Sequence, residues 1–302
     1  MKKILLIFVL MFVLLVPVAY ASPDQVKVGV YMLNLGKFDV ATGLYTADFY
    51  LSLKCEDVCS PENFEILNGK ATSIEKIVDL PGEKFYRIQA TLNSPVNLEK
   101  FPFDSQKLTL IIEDKKYTSD RLVYVPSGEE TGIDDSIAFT GWNIDGWSTN
   151  VTAHEYSIYN ETFSKYTYTI NISKIAWSSF IKTFLPVLFI VIVVLFSFTL
   201  DPDKITTRIS LCSSSLIAAV MFHIAISNQI PAVGYMTFAD KFMILTYFIL
   251  ITSFIINLVI VELSESKDKA RKKLADEIHR NTEYSMLIIT PILYLLLFWL
   301  FI

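Results

Sequence analysis

The residues with the clearest chemical meaning form a hydroxyl-rich stretch inside an apolar segment of the 302-residue chain. The stretch covers residues 206–217, and its hydroxyls belong to Thr206, Thr207, Ser210, Ser213, Ser214 and Ser215. A helix that faces only lipid does not carry so many hydroxyls, because the hydrocarbon core offers them no water. A helix that lines a water-filled passage does. The stretch therefore indicates a hydrated path through a membrane.

Read as a helix, this segment carries one stripe of residues spaced three or four apart. The stripe consists of Thr206, Ser210, Ser214, Ile217, Met221, Ile224 and Asn228. A ring of such helices would place hydroxyls below an apolar constriction centred on Ile217, and apolar rings gate by dewetting. The alternative is an ordinary bundle helix whose hydroxyls bond to backbone carbonyls.

The composition indicates a membrane protein, with 52% hydrophobic residues and a mean hydropathy of +0.44. Four apolar runs have the length that crosses hydrocarbon: residues 183–200, 204–227, 242–261 and 285–302. The loop after the third run is rich in Lys and Arg, whereas residues 228–239 carry none. The positive-inside rule then predicts that both chain ends are extracellular, with residues 262–283 as a short helical linker in the cytoplasm.

The N-terminus predicts a secretory signal peptide over residues 1–21. Lys2 and Lys3 precede an apolar run, and Ala19-Tyr20-Ala21 matches the cleavage pattern. The segment that follows, residues 22–174, holds 22 Asp and Glu against 14 Lys and Arg, a net charge of −8. Such an acidic external segment argues against binding to nucleic acid or anionic lipid, and it concentrates cations.

Residues 22–174 alternate between apolar and polar side chains, which predicts strands. The apolar positions include Val26, Val28, Val30, Phe49, Leu51, Leu53, Leu108, Leu110, Ile112, Tyr166, Tyr168, Ile170 and Ile172. Turns are predicted at Asn68-Gly69, Pro81-Gly82, residues 126–128 and Asp145-Gly146. The fold class is therefore β + α: an extracellular, immunoglobulin-like β-sandwich (22–174) followed by a transmembrane four-helix bundle (175–302).

The cysteines and histidines indicate neither an enzyme nor a metal site. Cys55 and Cys59 either close a small disulfide loop or remain free thiols, and Cys212 is predicted to be a packing thiol. The external segment has one histidine, His154, and no nucleophile motif. We therefore expect no catalytic residue, no metal and no cofactor.

Several short motifs, in order along the chain, resemble the pentameric ligand-gated ion channels of the Cys-loop receptor superfamily. Phe101-Pro102-Phe103-Asp104-Ser105-Gln106 is similar to their signature loop, and residues 140–145 are similar to a strand of the bacterial members. Residues 172–174, Pro186, residues 228–231 and residues 235–237 extend the resemblance. The signature loop lacks its two cysteines, since Ser94 and Leu108 stand about where they would be, as in bacterial members.

The resemblance implies a homopentamer in the cell membrane, with the second helix of each subunit around the pore. It also implies a gating interface made of Asp39, Pro102, Phe103, Asp104, Lys174, Pro231 and Tyr235. In that interface Asp104 would lie near Lys174, and Pro102 and Phe103 would press on residues 231–235. A carboxylate and an ammonium at this boundary form a charge pair that can be remade between two states.

The sequence leaves two candidates for the signal that opens such a channel, a cationic agonist and protons. The segment that usually supplies part of the agonist pocket is short here, between Leu53 and Phe85. Tyr156, Tyr159 and Tyr166 could form an aromatic site for a cationic agonist, or could be structural tyrosines. Protons are the other candidate, sensed by external carboxylates or by His223, which is predicted to face neighbouring helices rather than the pore.

The permeant ion is predicted to be a cation. The acidic external segment favours cations, although residues 206–208 lack the glutamate that cation channels of this family usually carry there. An anion-selective channel is the alternative within this class. Outside it, the alternative is a membrane-tethered β-sandwich receptor or accessory subunit without a pore.

Overall fold

The computed structural model describes residues 22–55, 61–201 and 203–301. The signal-peptide prediction for residues 1–21 lies outside these residues. Within the described part, ten strands precede the helices: β1 Asp24–Leu35, β2 Leu44–Cys55, β3 Phe64–Ile66, β4 Gly69–Leu80, β5 Glu83–Asn93, β6 Ser105–Asp114, β7 Leu122–Pro126, β8 Gly132–Ile133, β9 Trp142–Tyr156 and β10 Glu161–Lys174.

The strands form two sheets that pack face to face. One sheet has the order β4-β5-β2-β1-β7, with β8 also paired to β1, and the other has the order β3-β6-β10-β9. The apolar positions predicted from the alternation lie in one buried core between the sheets, where Phe49 and Leu51 of the first sheet join Leu110 and Tyr168 of the second. The predicted β-sandwich is confirmed, because side chains on a strand alternate between its two faces.

One predicted turn is wrong. Asp145-Gly146 lies inside β9 rather than between strands, and the register of β9 against β10 shifts there: Asn171 faces Gly146, whereas Ile172 faces Ile144. Asp145 is thus the extra residue of a β-bulge, and Gly146 takes a φ of 142°, which a side chain would resist. Asn68-Gly69 and Pro81-Gly82 do form the turns before β4 and β5.

Four helices follow within the described residues, each long and apolar enough to cross a membrane: α1 Ala176–Phe196, α2 Ile205–Ser227, α3 Phe238–Ser264 and α4 Lys269–Phe301. A short 3₁₀ segment, Ser197–Thr199, continues α1. The prediction of four spans is therefore confirmed. The helices α1 and α4 begin before the predicted apolar runs, because each starts with a polar or interfacial segment.

The predicted cytoplasmic linker is largely part of α4. Only residues 265–268 separate α3 from α4, and the charged residues from Lys269 onward form the first turns of one continuous helix. In the external domain Cys55 is disulfide-bonded, and Cys59 lies outside the described residues. Cys212 is a free, buried thiol in α2, as predicted.

Candidate functional site

The sandwich meets the helices at the first turn of α3. The first N–H groups of a helix have no partner within it. Here Phe238 N donates to the Glu99 carbonyl at 2.8 Å and Ala239 N donates to the Phe101 carbonyl at 3.0 Å. Both acceptors belong to the junction loop, residues 94–104, which connects β5 to β6. The external domain therefore completes the hydrogen bonding of a transmembrane helix.

A capping box satisfies the next donor of α3. Asp240 N donates to Thr237 Oγ1 at 3.2 Å, and Thr237 N donates to Asp240 Oδ2 at 2.9 Å. Such a reciprocal pair satisfies two donors at a helix start. Together with the two bonds from the junction loop, it leaves the start of α3 fully hydrogen-bonded.

The link between α2 and α3, residues 228–237, is tied to the same loop. Leu98 N donates to the hydroxyl of Tyr235 at 2.9 Å. Ile230 and Val233 pack against the cluster that includes Leu98 and Phe101. The expected contact between loop and link therefore exists, but residues 98–101 carry it rather than Phe103.

Phe103 points instead into the helix bundle. Its ring lies 5.7 Å from Phe184, 6.0 Å from Phe238 and 6.2 Å from Phe298, measured between centroids. These rings belong to an aromatic cluster that joins the junction loop to α1, α3 and α4: Phe103, Phe180, Phe184, Phe238, Phe242, Tyr294 and Phe298. Edge and offset packing of such rings stabilises the contact beyond the area buried. The cluster fixes the loop on the bundle.

Asp104 and Lys174 lie side by side, but their side chains do not form the expected charge pair. Lys174 N donates to the Asp104 carbonyl at 3.1 Å. Asp104 is 2% exposed, its Oδ2 accepts from Gln106 at 2.9 Å, and its Oδ1 has no hydrogen-bond partner among the described residues. The Lys174 ammonium lies over the ring of Trp142, 4.1 Å from its centroid.

The other predicted interface residues take separate positions. Asp39 accepts from Ala41 N and from the Thr42 hydroxyl, both at 2.9 Å, and these bonds hold the pKa of its carboxyl below the usual range. Its neighbour Val40 reaches the junction, since it packs against both the sandwich core and the helix core. Pro102 is buried and, with Gln229, lines a small cavity. Pro231 is half-buried in the link.

His223 faces α3, as predicted. Its Nδ1 lies 3.0 Å from the Tyr247 hydroxyl and its Nε2 lies 3.5 Å from Asp240 Oδ1. The partners of His223 are thus a hydroxyl and a carboxylate of α3. Because Asp240 also belongs to the capping box, His223 is connected to the start of α3.

All seven stripe residues of α2 are exposed in the protomer, namely Thr206, Ser210, Ser214, Ile217, Met221, Ile224 and Asn228. The opposite face is buried against the other helices through Arg208, Cys212, Ser215, Ala219 and Ile226. Off the stripe, the Ser213 hydroxyl donates to the Ile209 carbonyl at 2.9 Å. The hydroxyls of Ser210 and Ser214 bond to no other described residue.

The three candidate ligand-binding tyrosines do not come together. Tyr166 is 0% exposed inside the sandwich core, where burial raises its pKa to about 12. Tyr159 is 73% exposed at the turn between β9 and β10, and Tyr156 packs on His154 with 4.5 Å between ring centroids. An aromatic site built from these three residues is therefore wrong for this protomer, because strand alternation turns Tyr166 inward.

Comparison with known proteins agrees with this architecture. Residues 183–286 match the model of the neurotransmitter-gated ion-channel transmembrane region. A proton-gated ion channel of Gloeobacter violaceus is 24% identical over 252 residues, which are 75% of this chain and 70% of that protein. Both matches support a relationship to the pentameric ligand-gated ion channels of the prokaryotic type. The four helices agree with a multi-pass membrane protein, the N-terminal β domain is extracellular in this family, and these relatives are ion channels rather than enzymes.

Animal receptors of the same superfamily match a smaller part of their length. The pH-sensitive chloride channel 2 of Drosophila melanogaster is 26% identical over 172 residues, which are 54% of this chain and 33% of that protein. The human gamma-aminobutyric acid receptor subunit rho-2 is 22% identical over 203 residues, which are 65% of this chain and 43% of that protein. One of these names gives chloride as the ion, and the two names give different signals, pH and gamma-aminobutyric acid.

Three parts of the junction were not predicted from the sequence. Thr237 and Asp240 match the capping-box spacing before an apolar run, so that signal was present in the sequence. The acceptor carbonyls of Glu99 and Phe101 could not be predicted in this way, because every residue type has a backbone carbonyl. Trp142 beside Lys174 depends on the register of β9 against β10.

The Tyr235→Phe variant tests the tie between link and loop. It removes the hydroxyl that accepts from Leu98 N and leaves a partly buried donor unpaired, which costs about 1 kcal/mol or more. We expect a lower Tm in detergent and faster hydrogen exchange at the Leu98 amide. Tyr284→Phe is the matched control, since Tyr284 is 65% exposed on α4. Equal effects of the two variants would contradict the assignment.

Proposed function

We propose that five copies of this subunit form a cation channel whose pore is lined by α2 and whose opening responds to external protons. The observation that carries this proposal is the exposed stripe of α2. Its hydroxyls have no partner in the described protomer, and hydroxyls left in hydrocarbon without partners are costly. Water in a central pore would satisfy them.

The stripe also contains a candidate gate. Ile217, Met221 and Ile224 are 66%, 64% and 52% exposed, so their side chains extend away from the protomer. Five copies of each would form apolar rings above the rings of Ser214 and Ser210. A narrow apolar ring expels water and stops ions, whereas a wider or more polar one conducts.

The positions of the charges favour cations. Arg208 lies on the buried face of α2, 0% exposed, with its Nη2 3.2 Å from His279 Nδ1. Its charge therefore points away from the stripe, and the exposed Asp201 and Asp203 precede the cytoplasmic end of α2. The net charge of −8 on residues 22–174 adds to the attraction. A relative named a chloride channel makes reversal potentials in asymmetric salt the necessary check.

Protons are favoured as the signal over a cationic agonist. The tyrosines proposed for an agonist lie apart, and one relative is named a proton-gated channel. His223 offers a specific receptor for a proton. When His223 is charged, its attraction to Asp240 strengthens, and Asp240 is the capping-box partner of Thr237 at the start of α3. Protonation would thus pull α2 toward the start of α3.

The first test is the number of subunits. We expect native mass measurement in mild detergent, and again in lipid nanodiscs, to give five copies of the chain. The physical reason is that a single α2 cannot enclose its unpartnered hydroxyls. A monomer or dimer in both media would instead support a tethered receptor or accessory subunit without a pore.

The second test is the Ile217→Ser variant. A hydroxyl at this ring should let water into the constriction and raise the resting conductance of planar bilayers at neutral pH. Val220→Ser is the matched control, since Val220 is exposed beside the stripe but outside it. An unchanged resting conductance in Ile217→Ser, while Ser210→Cys still reacts with thiol reagents applied to the pore, would move the gate elsewhere.

The third test is the response to pH. Current is recorded at external pH values between about 4 and 8, where carboxylates and histidine titrate. We expect activation as the pH falls, and a weaker activation in both His223→Gln and Asp240→Asn, because each removes one member of the ion pair. The side-chain carbonyl of asparagine can still accept from Thr237 N, so the second variant keeps the hydrogen bond at the start of α3.

Two other outcomes of this test have separate meanings. A flat response in the natural chain would exclude protons as the signal. A response that survives both substitutions would place the sensor among the external groups, where His154 and the buried Glu113 form a pair at 2.8 Å.

A further inference from the structure

Trp142 and Lys174 form a fixed pair at the base of the sandwich. They are register partners, at the first residue of β9 and the last residue of β10. The Lys174 ammonium lies 4.1 Å from the ring centroid, which is a close cation–π contact. Trp142 is 8% exposed and packs edge-on against Phe38 at 5.6 Å. The buried indole is thus held in place against the Lys174 ammonium.

Asp104 offers the same ammonium a second position. The backbone bond from Lys174 N to the Asp104 carbonyl keeps the two residues adjacent, and Asp104 Oδ1 is buried without a partner among the described residues. A buried carboxylate oxygen in this condition is costly, and a neighbouring ammonium removes the cost. The lysine side chain lines a cavity of about 180 Å³ between the junction loop and α1, which gives it room to move.

Burial and two neighbouring charges act on the Lys174 ammonium. Burial lowers the pKa of its ammonium, the Asp104 charge raises it, and the nearby Lys182 lowers it again. Exposed Lys182 lines the same cavity, so movement of Lys174 toward Asp104 would also change the repulsion between the two ammonium groups. The balance between the two positions is therefore sensitive to small displacements of the loop.

We propose that Trp142 is a positioning residue for gating: the Lys174 ammonium occupies the Trp142 face in one state of the junction and pairs with Asp104 in the other. The proposal rests on the channel function proposed above and adds a residue to it. An exchange of one cation between two partners is a two-state element, because each partner stabilises only one position. The loop that carries Asp104 also caps α3, so the exchange reaches the bundle.

The test compares substitutions at the two partners. Trp142→Leu releases Lys174 toward Asp104, and Asp104→Asn leaves Lys174 on Trp142. We expect the proton concentration for half-maximal current to shift in opposite directions in the two variants. Each shift should be about 2- to 30-fold, which is the free energy of a cation–π contact expressed as a ratio of concentrations. Shifts in the same direction would mean that both residues merely support the fold, and would overturn the proposal.

Fluorinated tryptophans at position 142 isolate the electrostatic part. Fluorine withdraws charge from the ring face while the shape changes little, so the shift should grow with each added fluorine. Trp147 is the matched control, because it stacks on Tyr168 at 5.9 Å and no cation–π contact with it is found in the described structure. No graded shift at position 142, or an equal one at 147, would also overturn the proposal.

A measurement without current separates this proposal from the channel function. Thermal unfolding of the purified protein in detergent is compared for Trp142→Leu, Lys174→Met and the double variant. If the two residues interact, the double variant loses less Tm than the sum of the singles. Additive losses would refute the contact itself, whereas coupled losses in a protein that carries no current would refute only the channel.

Discussion

The start of α3 is the point on which the two halves of this molecule depend. Three successive N–H groups, those of Phe238, Ala239 and Asp240, need acceptors from outside the helix ladder. Two acceptors come from the junction loop and one from Thr237. Phe238 and Ala239 are buried under aromatic rings, so water cannot replace these partners. The sandwich cannot move away from α3 without breaking two buried hydrogen bonds.

This arrangement determines where motion can arise. The loop is bound to α3 by hydrogen bonds and to α1 and α4 by the ring of Phe103, so it must move with the upper part of the bundle. The contacts that can change are those between side chains at its edges. His223 with Asp240 connects α2 to the capping box, and Lys174 with Trp142 connects β10 to β9. Both contacts join side chains on neighbouring elements, so either can change while the backbone hydrogen bonds of the loop stay intact.

The parts of the fold that follow from periodicity could be predicted from the sequence. Alternation placed Leu110 and Tyr168 in the core, and helical spacing placed Ser210 and Ile217 on one exposed face. What failed depended on long-range register or on backbone atoms. Tyr166 is the exception, because the same alternation that placed Tyr168 in the core also turns Tyr166 inward. The Asp145 bulge, the partners of His223 and the acceptors on the junction loop required the packed structure, because no local pattern encodes them.

The base of the junction loop shows how the loop is held without its disulfide. Where the resemblance places two cysteines, Ser94 and Leu108 stand instead. Thr109 N donates to Ser94 Oγ at 2.8 Å, and Asn97 and Gln106 exchange two hydrogen bonds at 3.0 and 2.6 Å.

A disulfide that closes a loop of about 15 residues contributes about 3 kcal/mol, and each such hydrogen bond contributes about 1 kcal/mol. Together the three hydrogen bonds therefore contribute a stabilisation similar to that of the missing disulfide. One of the side chains that make these bonds, that of Gln106, also donates to Asp104 Oδ2. The closure of the loop is thus coupled to the carboxylate that faces Lys174, and a change at that carboxylate can be transmitted through hydrogen bonds to the base of the loop.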